Sequence, residues 1–374
     1  MKTTTILILG GYGNAGSHIA KLLLHHTDAS IIIAGRNKKK AEKKVEELKK
    51  KNSGRVGACP LDVADKNQLK AVFQKCDLAI IAAATIPHVE TIIKTAIETG
   101  TDYLDTQLSF PEKINVLKKY KETYSEKNRT IIADGGFHPG VPAAMVQYAA
   151  THFDQLKKAN ISSYLGIKWN KFNVSPNTLE EFTHEIKNFD PTVFRNKKWE
   201  KIPFRNIGNF QFDFAGDIGR RNCVPLFLHE LETLPEKIPS LEETGFFIAG
   251  FNWVTDNIVT PIAMVGAHLN ISWLSQRIGR FYFWSAGTFS KPPYVSVLQM
   301  EATGIKNNKE SFLKIILSHE DAYFFTAAPV VACVRQYLKY EHEPGFYYQA
   351  NFADATAFLQ DIAKMGVNVR IAKS

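Results

Sequence analysis

The stretch Ile6-Leu7-Ile8-Leu9-Gly10-Gly11-Tyr12-Gly13-Asn14-Ala15-Gly16 decides the fold. A short apolar β run enters a turn with glycines in GxGxxG spacing, Gly11, Gly13 and Gly16, and leaves it as a helix carrying Ala15, Ile19, Leu22 and Leu23 on one face. One glycine allows the tight turn, one lets backbone approach a pyrophosphate without a Cβ in the way, and one lets the helix pack closely on the strand. The free N–H groups and positive dipole end of the helix then face the phosphates. GxGxxG alone is a weak signal. Its strand–turn–helix setting makes Gly10, Gly11, Tyr12, Gly13, Asn14, Ala15 and Gly16 the expected cofactor loop.

Outward from this turn the first half alternates strand and helix. A β-branched run at 31–34 precedes a lysine-rich helix with Ala41, Val45 and Leu48 on its apolar face. A third strand with its loop spans 56–63, and Asp65 caps the helix that follows. The continuous apolar run at 78–84 reads as a strand buried on both faces. Pro87 opens a helix that Gly100 ends, and strands at 103–106 and 130–133 flank a helix at 111–127. Six strands separated by helices specify a doubly wound parallel sheet, an α/β Rossmann domain.

The second strand bears on which nicotinamide cofactor is held. An NAD site places Asp or Glu there to accept from the ribose 2′-OH, whereas this chain has Gly35, Arg36, Asn37 and Lys38. No carboxylate is present to repel a 2′-phosphate, and Arg36 can fork onto it. NADP is therefore the expected cofactor. Asp62 and Val63 end the third strand where an adenine lies, and Ala83, Ala84 and Thr85 end the fourth beside the nicotinamide ribose.

Length and composition set the frame. The 374 residues suffice for two domains, and 45% hydrophobic with 22% charged residues is ordinary for a globular protein. Of the net charge of +9, residues 36–51 supply +6 through nine Lys or Arg against three Glu. A solvated helix face accounts for that excess, and without a nucleic-acid motif beside it no nucleic-acid partner is expected. Cys59, Cys76, Cys223 and Cys333 form no CxxC pair, so neither a metal site nor a disulfide framework is expected. No run of 18 apolar residues predicts a membrane span, and the N-terminal apolar run is too short for a signal-peptide core, so a cytoplasmic protein is expected. GxSxG and HExxH are absent, which removes hydrolase and zinc-protease readings. Tyr164 and Lys168 make a YxxxK pair, but on a segment that alternates like a strand.

Several stretches resemble the saccharopine dehydrogenase-like (saccharopine reductase) family: Gly10 to Gly16, Ala34-Gly35-Arg36-Asn37, Leu61-Asp62-Val63, Gly100-Thr101-Asp102-Tyr103-Leu104-Asp105 and Gly136-Phe137-His138-Pro139-Gly140. The resemblance resumes at 296–304, at 318–323 and at Thr326-Ala327-Ala328-Pro329. It implies an NADP-binding Rossmann domain at 1–137, an inserted α+β substrate and dimerisation domain at 138–328, and a segment at 329–374 that returns to pack on the Rossmann domain. It also implies a homodimer, and hydride transfer at a C–N bond, an imine or secondary amine, of an amino-acid-like substrate. One position departs: many relatives carry aspartate where this chain has His138.

A doubly wound sheet binds ligand at the carboxyl ends of its strands. There the sequence offers Asp105 and His138 as catalytic candidates, and Gln107 and Phe137 as substrate contacts. The imidazole can serve as acid or base, or merely cap the next helix. Arg195, Arg205, Arg220 and Arg221 of the middle region are available for substrate carboxylates, and Trp253, Trp273 and Trp284 make that region aromatic, as core first, then dimer surface, then pocket. The competing reading is an NADP-binding sensor or scaffold that keeps the fold without the hydride step.

Overall fold

A computed structural model describes residues 4–50, 54–169, 186–268 and 272–374. The side chains of residues 265–276, Trp273 among them, lie outside the described part. The chain forms two units, one of Met1–Ala144 with Tyr323–Gly366, the other of Met145–Ala322 with Val367–Ser374.

The first unit is a seven-stranded sheet. Strands β1 (Thr5–Leu9), β2 (Ser30–Gly35), β3 (Val56–Pro60), β4 (Leu78–Ile81), β5 (Asp102–Asp105) and β6 (Thr130–Ala133) alternate with helices α1 (Asn14–His26), α2 (Lys38–Lys49), α3 (Lys66–Phe73), α4 (Val89–Thr99) and α5 (Pro111–Glu126). All pair in parallel, in the order β6-β5-β4-β1-β2-β3. The doubly wound expectation is borne out, and the local signals act as read. Asp65 accepts from the amides of Asn67 and Gln68, and Gly100 closes α4 at φ 67°. Leu7, Leu9, Ala79, Ile81, Tyr103, Ile131 and Phe73 fill one core between sheet and helices. The seventh strand, β15 (Gly345–Tyr348), comes from far down the chain and pairs in parallel with β6.

The second unit is a nine-stranded sheet, mostly antiparallel. Its main path is β10 (Phe210–Asp213), β11 (Arg220–Pro225), β12 (Glu243–Ala249), β7 (Gln155–Leu165), β13 (Ser296–Lys306), β14 (Lys309–His319) and β16 (Asn368–Lys373), with β8 (Thr192–Arg195) paired to β12 and β9 (Lys198–Lys201) to β8. Asn307 and Asn308, both at positive φ, make the turn between β13 and β14. Tyr164 lies within β7, so the YxxxK pair has no helix to act from.

Two expectations change. The segment 329–374 is divided, because β16 forms a six-residue antiparallel ladder with β14 of the second sheet and only the residues through Gly366 stay with the first unit. Trp253 and Trp284 are exposed rather than core. The inner faces of their helices are filled instead by Val259, Ala263, Ile278 and Tyr282.

Candidate active site

The loop between β1 and α1 presents an unused set of donors. Gly13 caps α1 without any side-chain hydrogen bond, and no acid occupies the first turn. The amide of Gly13 is committed to Gly10 O at 2.8 Å, and the first helical bond is that of Ser17 to Gly13 O at 2.9 Å. This leaves the opening amides of the helix to an anion from outside. Gly16 has to be glycine, since a Cβ there would stand 2.3 Å from Gly10 O.

Tyr12 links this loop to the end of β2, a contact that spacing alone does not reveal. Its ring lies so close over Gly35 that a Cβ on Gly35 would meet it at 2.6 Å, and its hydroxyl accepts from the Asn37 amide at 3.1 Å. The Asn37 side chain is spent capping α2 through the Lys40 amide, and Lys38 pairs loosely with Glu42 at 3.8 Å. Arg36 is exposed and makes no ion pair or hydrogen bond among the described residues. A cation without a partner beside the glycine loop suits a 2′-phosphate. Asp62 is exposed and accepts from the Ala64 amide at 3.1 Å, while Val63 is buried in the core.

The ends of β4 and β5 meet through Gln107. Its Nε2 donates to Ala83 O at 2.8 Å and to Thr85 Oγ1 at 3.2 Å, and its buried Oε1 has no protein partner. An orphaned acceptor at the strand ends fits the hydrogen-bonding groups of a nicotinamide nucleotide.

Behind Gln107 lies a network without a sequence signature. Lys113, in the first turn of α5, is fully buried and donates to Asp105 Oδ1 at 2.8 Å, Gln107 O at 2.6 Å and Asp134 Oδ1 at 2.7 Å. Ser109 Oγ donates to the other oxygen of Asp134, and the Gln107 amide donates to Asp105 Oδ1 at 3.0 Å. Burial raises the Asp105 pKa, against the pull of the Lys113 ammonium, and the neighbouring Asp134 raises it further. For Lys113, burial works downward and the two carboxylates reverse it, so the ammonium stays charged. Asp105, expected to act on substrate, is fully buried and instead holds Gln107 and Lys113 in place. In sequence Lys113 reads as an ordinary exposed lysine of a helix start.

The Asp134–Gly140 turn is tied down by Gln349, a buried residue just after β15, whose Nε2 donates to Gly136 O at 2.9 Å and Gly140 O at 3.1 Å. Phe137, expected beside substrate, is buried with its ring stacked on Phe325 at 4.3 Å and with His138 edge-on at 4.0 Å. His138 itself is half-buried, and burial pushes its imidazole down to about 4. The imidazole is therefore neutral near pH 7. Protonation favours the unfolded chain, where histidine titrates near 6.5. The stability that His138 contributes is complete above that pH and lost as pH falls through about 4, to a total of roughly 3 kcal/mol. Denaturant unfolding between pH 7 and 4 should show a steeper loss for the wild type than for His138→Gln; parallel curves would refute the shift.

Residues 6–135 match the family model of the saccharopine dehydrogenase NADP-binding domain, so this part of the chain is an NADP-binding domain. The resemblance read from the motifs is thereby borne out for these residues, which match the saccharopine dehydrogenase NADP-binding domain. Carboxynorspermidine synthase of Vibrio alginolyticus is 25% identical over 251 residues, 62% of this chain and 59% of that protein. Carboxyaminopropylagmatine dehydrogenase of Synechocystis is 24% identical over 260 residues, 66% of this chain and 62% of that one. The chain thus spans about three fifths of the length of the curated relatives it matches. The solved saccharopine dehydrogenase (L-Glu forming) of Saccharomyces cerevisiae shares the fold, with a TM-score of 0.70 at 14% identity over 99% of this chain and 100% of that one.

Proposed function

We propose that the protein is an NADP-dependent oxidoreductase that transfers hydride at a C–N bond, an imine or secondary amine, of an amino-acid-like substrate. The observation that carries the reading is the uncapped start of α1 above the glycine turn, with Arg36 unpaired beside it. The names of the two relatives, a carboxynorspermidine synthase and a carboxyaminopropylagmatine dehydrogenase, support a polyamine-precursor type of substrate carrying both amine and carboxylate. The opening amides of α1 hold the pyrophosphate, Arg36 the 2′-phosphate, and Gln107 with Ala83 and Thr85 the nicotinamide end. Bound there, the nicotinamide supplies or takes the hydride. Asp105, Lys113 and Asp134 position Gln107 from behind. His138, held neutral by burial, is in the form that accepts a proton as the amine is oxidised. A homodimer in the cytoplasm completes the reading, and sedimentation velocity checks the dimer.

The test is NADPH oxidation with an α-keto acid plus an amine-bearing amino acid, or NADP reduction by the joined product. Tight NADPH binding without turnover across such a screen would favour the sensor reading. His138→Ala should lower turnover by roughly 10²- to 10⁴-fold if the imidazole moves the proton, and unchanged turnover removes that role. Arg36→Ala should weaken NADPH by about 10- to 100-fold and leave NADH nearly unchanged, since charge-assisted bonds to Arg are worth about 1.5–3 kcal/mol. Calorimetric titration decides it, and equal losses for both cofactors would refute the assignment.

A further inference from the structure

Six of the nine large hydrophobic side chains exposed among the described residues come from one short part of the second unit. They are Trp253 at 70% exposure, Ile258, Ile262, Phe281, Trp284 at 55%, and Phe289. Phe281 stacks on Trp284 at 5.7 Å and Trp284 meets Phe289 edge-on at 5.8 Å, so these three form a continuous aromatic surface. The helices that carry them, Thr260–His268 with the turn before it and Ser272–Phe289, already have a filled inner face. Val259, Ala263, Ile278 and Tyr282 pack there, and the hydroxyls of Thr255 and Ser285 pair at 2.9 Å beneath. The outward aromatics are surplus to that core, and an apolar surface of this kind marks an interaction site.

Charge indicates what covers it. Residues 253–291 hold Arg277, Arg280, Lys291 and His268 against a single acid, Asp256. The Asp256 carboxylate is turned back onto the chain, accepting from the Phe251 amide at 2.9 Å. Arg277, Arg280, Phe281, Trp284 and Thr288 are all exposed, which places cations and aromatics on one side of the longer helix, and the exposed Lys291 follows its end. A second copy of the chain packed through this segment would set Arg280 and Lys291 against their own copies, and the segment's one acid, Asp256, is turned inward. An anionic lipid surface complements them. Tryptophan and phenylalanine settle at the boundary of headgroup and acyl chain, while Arg and Lys meet the phosphates. No helix among the described residues is long and apolar enough to cross a membrane, so the contact is with the surface.

We propose that the exposed side chains of residues 253–264 and 277–291, Trp253, Ile262, Phe281 and Trp284 with the cations Arg280 and Lys291, dock on an anionic bilayer surface. This rests on the second unit alone and is independent of the proposed reaction. The intact chain is sedimented with vesicles of phosphatidylcholine and with vesicles of equimolar phosphatidylcholine and phosphatidylglycerol. Binding is expected to the mixed vesicles only, with a blue shift of tryptophan emission and loss at high salt. The Arg280→Ala/Lys291→Ala pair should weaken it by roughly 10- to 30-fold. Trp284→Ser should lose the vesicles while melting at the wild-type temperature. If that variant fails to fold, the charge pair still decides. Absence of binding to either vesicle, or equal and salt-insensitive binding to both, overturns the proposal. So does a lipid-free dimer that Trp284→Ser converts to monomer, which would assign the face to a second copy.

Discussion

Lys113→Met should lower the unfolding free energy by about 3–5 kcal/mol, the largest stability change expected of a single substitution in the first unit. Among the described residues the ammonium is the only cation held between Asp105 and Asp134, and both carboxylates and Lys113 have fully buried side chains. Methionine fills a similar volume, so packing is kept and the loss is electrostatic. Two carboxylates are left in an apolar site facing each other, and Gln107 O loses its donor. Adding Asp105→Asn to Lys113→Met should recover part of the loss, because it removes one of the stranded charges. Denaturant unfolding at pH 7 measures both variants. A wild-type midpoint for Lys113→Met would mean that the network adds nothing to stability. The network joins the ends of β5 and β6 to the loop that carries Gln107, so NADPH affinity should fall in the same variant even where it remains folded.

Gly13→Val should abolish NADPH binding while leaving the fold intact. A Cβ at Gly13 meets only Gly10 O, at 3.0 Å, so the loop can accommodate a side chain with a small shift. The branch then occupies the space in front of the free amides of α1. Losing two charge-assisted bonds of about 1.5–3 kcal/mol each amounts to on the order of 10²- to 10⁴-fold in affinity. Gly16→Val is the contrasting case. Its Cβ would stand 2.3 Å from Gly10 O and 2.8 Å from Gly11 Cα, so it should destabilise the unit before any question of ligand arises. Calorimetry with NADPH and thermal melting on both variants separate the effects. Unaltered affinity in Gly13→Val would make the glycine turn structural only.

Six strands, five helices and the glycine turn of the first unit were legible because their determinants are local. Glycines, the Asp65 cap, the Gly100 terminus and buried β-branched runs each act within a few residues, and strand–helix alternation leaves one parallel topology. Arg36 was legible for the same reason, since its position is counted directly from the glycine turn. The role of Lys113 was not, because a lysine in the first turn of a helix carries no sign that two carboxylates from other strand ends will converge on it. Gln349 and β15 arrive from over 200 residues further along to brace the Asp134–Gly140 turn and extend the sheet past β6. Phe137 and Asp105 looked like groups for a ligand because chain position gives the strand end but not the direction of the side chain. The sequence by itself thus determined the Rossmann sheet, the glycine turn that opens α1 and the charge at the end of β2. Tertiary structure decided which polar groups at the strand ends are buried in mutual neutralisation, which stay open to a ligand, and which aromatics lie outside the core, since burial and charge pairing depend on neighbours distant in the chain.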